Sequence, residues 1–270
     1  MSHTEDVPTA TKAVIQRYTP DARILELLET FRQMVNDCTR IGLANDVSTL
    51  KKLSLLSYKE LSSYECPSYY KLCAMSRAAG VLASRKKSIR RGFETKNPYA
   101  VRPQLAIYFG FKLKNGILRL PIGEGRHFEI ALENHTMDVL AANAPLMLRS
   151  ITLTTSTVSL TISKKVPLVE CAEAAGLDRN LRELTYGNGA TVVKYNLSKA
   201  VRIRDTTTQI VASFKRNDAR IRGSIASKYG KRRRNRICHL LNCVTKDIVR
   251  RAHESKEAIV LEDIEGIRNL

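Results

Sequence analysis

Two carboxylates in this 270-residue chain stand where chemistry is possible. Asp178 lies within the apolar run Ala175–Thr185, directly after Gly176-Leu177, and Glu262 closes the run Ala258–Leu261, with Asp263 beside it. A carboxylate on a buried strand is costly unless it is paired, hydrogen-bonded or bound to a metal. Two of them brought together across a sheet would repel and call for a cation between them. That hard-oxygen chemistry suits Mg²⁺, which can activate water and stabilise a leaving phosphate oxygen. The plainer alternative is an Asp that serves a turn or a cap, and the pattern alone leaves both open. Cys238-His239 with Cys243 comes nearest to a soft-metal pattern, but Cys238, at offsets of one and five from the other two, does not share a helix face with them. With no CxxC pair among six cysteines, buried or idle thiols are expected and no zinc.

The second chemical feature is charge. The chain carries 45 Lys and Arg against 26 Asp and Glu, a net +19. Two blocks, Arg77–Lys96 and Val201–Lys256, hold eighteen of those nineteen charges, and the other 194 residues are nearly neutral. A basic run is often only a solvated face, but this concentration points to a polyanion, held chiefly through phosphates. The residues expected to make those contacts are Arg85, Lys86, Lys87, Arg90 and Arg91 in the first block. In the second they are Lys215, Arg216, Arg220, Arg222, Lys228, Lys231, Arg232, Arg233, Arg234 and Arg236. A phosphate-coating protein of ribosomes or chromatin is disfavoured, because the neutral remainder and ordered domains are unnecessary for coating.

Such residues need elements to position them. Lys12–Tyr18 alternates as one strand. Ala22–Leu43 repeats apolar residues at helical spacing behind Asp21, a plausible N-cap. Val47–Leu56 and Ser68–Phe93 read as further helices, the last burying Tyr69, Leu72, Met75, Ala79 and Leu82 and ending in the first basic block. Leu105–Lys112, Ile117–Pro121, His127–Leu132, Met147–Leu153 and Thr157–Val166 read as short strands, with turn signals at Lys114-Asn115-Gly116 and Gly123-Glu124-Gly125. A lone strand, a helical insert and a return to strands predict one β domain interrupted by helices. A second unit begins near Val169 with strands around the hairpin signal Gly187-Asn188-Gly189. A long helical stretch, Thr206–Ser255, follows, with a break expected at Tyr229-Gly230, and then the short strand Ala258–Leu261. No apolar run reaches the ~18 residues of a membrane span, and the polar, acidic Met1–Ala10 lacks the regions of a signal peptide. A cytoplasmic protein is expected.

Gly176-Leu177-Asp178-Arg179-Asn180-Leu181-Arg182-Glu183-Leu184-Thr185 resembles the first RuvC-type nuclease motif of the transposon-encoded TnpB/OrfB family, in particular its archaeal forms. The stretches Ser213–Asp218, Ser227–Arg236 and Ala258–Ile264 are similar to the same family. The resemblance covers Glu170–Leu270 and extends, in element order only, through the first part. It implies an α+β chain: a β-barrel-like wedge domain over residues 1–168 with a helical recognition insert at about 21–97, then a partial RuvC domain of RNase H-like α/β fold over 169–270. It also implies an RNA-guided, Mg²⁺-dependent DNA endonuclease. Its partners would be a transposon-derived guide RNA and target DNA, with nucleoid association when DNA is bound. By position, Asp178 matches the first catalytic Asp and Glu262 the catalytic Glu, both as metal ligands, with Asp263 the alternative. The arginine-rich helical stretch between them would lie along the guide–target duplex, with base pairing supplying sequence specificity.

Two departures qualify that picture. Asn180 stands where many relatives have Gly. The family also continues past the Glu to a zinc ribbon and a third catalytic Asp. Here the sequence given stops at Leu270, eight residues past Glu262, with no CxxC. The expectation is an incomplete metal site, cleavage only if another chain completes it, and otherwise a catalytically inactive RNA- and DNA-binding remnant or regulator.

Overall fold

The computed structural model describes residues 8–123, 125–142, 145–214 and 222–262. It is a mixed α+β chain that divides into two compact units, Met1–Pro167 and Leu168–Leu270.

In the first unit, β1 (Thr9–Arg17) runs antiparallel to β7 (Thr157–Lys165) along its whole length, with Val14 opposite Leu160. Outward from β7 come β6 (Met147–Leu153) and β2 (Leu105–Ile107), giving the order β1-β7-β6-β2, all antiparallel. A separate three-stranded meander is formed by β3 (Lys112–Lys114), β4 (Ile117–Gly123) and β5 (Arg126–Ala131). Its first turn needs positive φ at both central residues, and Asn115 (φ 51°) with Gly116 (φ 72°) supplies them. Between β1 and β2 the chain makes α1 (Ala22–Ala44), α2 (Leu50–Leu61) and α3 (Ser68–Arg90). The spacing of Ile24, Leu28, Phe31, Val35 and Cys38 gives α1 one apolar face, and Asp21 Oδ1 caps its start by accepting from the Ile24 amide at 2.8 Å. That face, Met75, Ala78 and Leu82 of α3, and residues of both sheets share one core. The strand and the helical insert are thus parts of a single packed body.

The structure corrects three expectations here. On α3 the buried aromatic is Tyr70, while Tyr69 is half-buried and Leu72 is exposed. Leu105–Lys112 is not one strand, because the chain turns at Gly110 (φ 87°) between β2 and β3. A short helix, α4 (Asn134–Ala142), occupies a stretch that carried no helical expectation.

In the second unit, β8 (Glu173–Arg179), β9 (Glu183–Gly187) and β10 (Val192–Asn196) form an antiparallel meander. β11 (Glu257–Leu261) then pairs parallel to β8, for the order β10-β9-β8-β11. Gly187 is required at the β9–β10 turn, where a Cβ would lie 2.4 Å from the Thr191 carbonyl oxygen. The crossover to β11 contains α5 (Ser198–Ser213), a π-helical turn (Arg222–Ala226) and α6 (Ser227–Ser255). α6 runs through Tyr229-Gly230 unbroken, contrary to expectation. A single helical Gly costs only about 1 kcal/mol, and good helix formers, Lys231–Arg234, follow it. Ile248 and Ala252 of α6 pack on Ala175 and Tyr186, so the helix covers the sheet with its last turns only.

Candidate nucleic-acid interface and paired carboxylates

Strand pairing sets the two candidate carboxylate residues on neighbouring strands. Leu261 of β11 is in register with Leu177 of β8 in a parallel pair, and Glu262 and Asp178 are the next residues of each chain. Neighbouring strands lie about 4.8 Å apart, so continuing this register by one residue would set Asp178, the next-to-last residue of β8, beside Glu262, the first residue past β11. Alternation puts Ala175 and Leu177 against α6 and turns Asp178 to the opposite face, beside Thr185 of β9. Asp178 is exposed, and its Oδ2 accepts a hydrogen bond from Asn180 Nδ2 at 2.9 Å; Glu262 is exposed as well. The expectation of a costly buried carboxylate is therefore overturned. Among the described residues only one face of this short sheet is covered, so Asp178 keeps its water and needs no cation to be tolerated.

The donor chemistry nevertheless suits Mg²⁺, which commonly takes one or two carboxylates and keeps several waters. Asp178 and Glu262 would hold it. Among the described residues there is no group of three or more His, Cys, Asp or Glu that could bind a metal, and Asp263 lies outside them.

The cations of the second unit fall into two classes. Near the sheet, α6 pairs its arginines: Asp247 accepts from Arg251 Nε at 2.8 Å and from Arg250, which also meets Glu254 at 3.2 Å. These bonds, Arg251's first, with Tyr195's hydroxyl at 2.7 Å, hold the Asp247 carboxyl well below the usual carboxylate range. Further up, α5 and α6 enclose a groove of about 720 Å³ lined by Lys199, Arg202, Arg232, Arg233 and Arg236. Among the described residues, none of these five makes an ion pair and no carboxylate lines the groove. Ser198, Thr206 and Tyr229 add hydroxyl groups to its wall. Unpaired guanidinium groups beside hydroxyls are suited to successive phosphates.

Among the other anticipated contacts, Lys228, Lys231 and Arg234 are exposed on the same end of α6. Arg222 opens the π-helical turn, and Lys215, Arg216 and Arg220 lie outside the described residues. Lys199 and Arg202 were missed as individual contacts because the helix was expected to start only at Thr206. The signal that could have found them is Asn196, whose Oδ1 accepts from the Ser198 amide at 2.8 Å in a turn just ahead of α5.

The first basic block also divides. Arg85 is half-buried and donates to Asn97 Oδ1 at 3.2 Å, and Lys86 pairs with Asp46 at 3.1 Å, so both are engaged within the fold. Lys87, Arg90 and Arg91 are exposed and without partners among the described residues. No family model matches the sequence, and no curated protein matches it.

Proposed function

We propose that this chain is a nucleic-acid-binding protein of the TnpB/OrfB type, which engages phosphates through the α5–α6 groove and carries a Mg²⁺ site at Asp178 and Glu262. The observation that carries the binding half is the partition of arginines. Those near the sheet are neutralised by Asp247 and Glu254, while among the described residues the five groove cations face no carboxylate. Stability alone does not account for five unpaired cations held in one groove.

The catalytic half rests on the resemblance of Gly176–Thr185 and is supported by the parallel β8–β11 pairing, whose last pair, Leu261 with Leu177, directly precedes Glu262 and Asp178. In this reading the first unit is the wedge domain with its recognition insert, and the second is part of a RuvC, RNase H-like domain. The partners are a transposon-derived guide RNA and target DNA. Bound Mg²⁺ would supply an activated water and charge stabilisation at a phosphate. Asn180 holds one oxygen of Asp178 and leaves the other free. A catalytically silent RNA or DNA binder is the second reading, favoured by the pairing of only two carboxylates among the described residues.

The test is an anisotropy titration of RNA, DNA and hybrid duplexes at several salt concentrations, run alongside a cleavage assay in Mg²⁺. Reversing Arg232 and Arg233 to Glu should abolish salt-sensitive binding; unchanged binding would sink the groove reading. Mg²⁺-dependent cleavage lost in Asp178→Ala and Glu262→Ala, with binding retained, selects the nuclease. Absence of cleavage at every Mg²⁺ concentration selects the silent binder.

A further inference from the structure

In the first unit, residues 97–104 (Asn-Pro-Tyr-Ala-Val-Arg-Pro-Gln) form a strap across α1 and α3. It is fastened at three points. The Ala100 amide donates to Asn36 Oδ1 at 2.7 Å, and Asn36 Nδ2 returns a bond to the Ala100 carbonyl at 3.1 Å. Arg32, itself paired with Glu29, donates to the same carbonyl at 3.2 Å and to the Tyr99 hydroxyl at 3.0 Å. Arg85 holds Asn97. Pro98 and Pro103 restrict the backbone near either end. So much fastening of a segment without regular secondary structure fixes one side chain above all, Tyr99. Its ring is 65% exposed and has the Arg32 guanidinium carbon 5.8 Å from its centroid.

Between strap and helices lies a pocket of about 250 Å³. This is below the ~300 Å³ at which drug-sized sites begin, and matches one ring system. Phe31, Val35 and Val81 give it an apolar floor, and Tyr99 lines it. Arg77 and Arg102 line it as exposed side chains with no ion pair or hydrogen bond among the described residues, and the half-buried Gln104 has its amide free in the same way.

The geometry points to a site for one unstacked nucleobase with its attached phosphate. The floor and Tyr99 take the faces of the base, Gln104 bonds its edge, and Arg77 and Arg102 meet the phosphate. This goes beyond the groove reading, since it lies in the other unit and takes a base rather than a backbone. A base splayed from a single strand and a free nucleotide share this chemistry.

The experiment uses the full chain and the fluorescence of 2-aminopurine, supplied as the riboside monophosphate, as the riboside, and at the centre of a single-stranded RNA. Binding should quench the monophosphate, and Tyr99→Ala should weaken it roughly 10-fold or more while Tyr99→Phe restores it. Arg77→Ala with Arg102→Ala should erase the preference for monophosphate over riboside. Tighter binding of the strand than of the monophosphate identifies a single strand as the source; equal binding identifies a free nucleotide. Either supports the site. No binding of either probe, or binding indifferent to Tyr99→Ala in protein with an unchanged circular dichroism spectrum, overturns it. The Arg232→Glu, Arg233→Glu protein should keep the monophosphate signal, so failure of the groove reading and failure of this site are told apart.

Discussion

Tyr70, fully buried on α3, donates its hydroxyl to the Pro121 carbonyl oxygen on β4 at 2.7 Å, tying the helical insert to the meander. Burial pushes its ionisation well above the ordinary tyrosine range, so the hydroxyl remains a donor at any pH at which the protein is handled. Tyr70→Phe keeps the ring and strips the donor, leaving a carbonyl unpaired. It should cost about 1–3 kcal/mol in a urea melt, and Tyr70→Ala about 3–5 kcal/mol.

The α1 cap offers a smaller, cleaner effect. Asp21→Ala removes the acceptor for the Ile24 amide and should lower stability by about 1 kcal/mol, with Asp21→Asn close to neutral. Thermal melts of the three proteins would check it.

The groove and the sheet end of α6 should respond differently to the same change. Arg236→Ala removes an unpaired groove cation and should reduce the slope of log affinity against log salt by about 0.9 for a duplex. Arg250→Ala removes a cation already paired with Asp247 and Glu254 and should leave that slope unchanged. Equal slopes for both variants would show that the pairing has no bearing on binding.

Asp247 predicts an acid limb. Its folded-state ionisation is depressed by Arg251, Arg250 and Tyr195, so its contribution to stability is present above the ordinary Asp value of about 3.9 and is lost as pH falls below it. Asp247→Asn should therefore lower the melting temperature near pH 6 and converge with the parent protein in strong acid. Parallel curves at all pH values would refute the linkage.

Metal affinity is measurable without turnover. Mn²⁺ titration followed by water-proton relaxation should show weak binding that falls in Asp178→Asn and in Glu262→Gln, and falls further when both are changed. Asn180→Ala should shift it less, since Asn180 touches Asp178 through one oxygen only.

What the sequence made legible was whatever depends on local period and local turn chemistry. Ala22–Leu43 differs by one residue from the observed α1, and Asn115-Gly116 and Gly187-Asn188-Gly189 both turn hairpins. The failures have tertiary causes. Gly230 reads as a breaker, yet helix formers on its C-terminal side carry α6 through it. Leu72 has the same period as buried Met75, but only the packing of α3 against α1 and α2 decides which side of the stripe is covered. Asp178 reads as buried because its neighbours in sequence are apolar; the covered face belongs to Ala175 and Leu177. Net charge was visible from composition, but the division of arginines into paired and unpaired needed Asp247 to be placed. The strap over residues 97–104 has no period at all, and its order comes from Asn36, Arg32 and Arg85, each distant in sequence.

The pairing of β1 with β7 sets a schedule for synthesis. Thr9–Arg17 finds its hydrogen-bonding partner only in Thr157–Lys165, about 150 residues later. At translation rates of about 5–20 residues per second, the first strand waits on the order of ten seconds with an open edge. During that interval α1–α3 can form and pack locally, whereas the four-stranded sheet cannot close. A nascent chain halted before Lys165 should expose Val14 and the inner face of the helices, and would be recognised by whatever in the cell binds unpaired apolar edges.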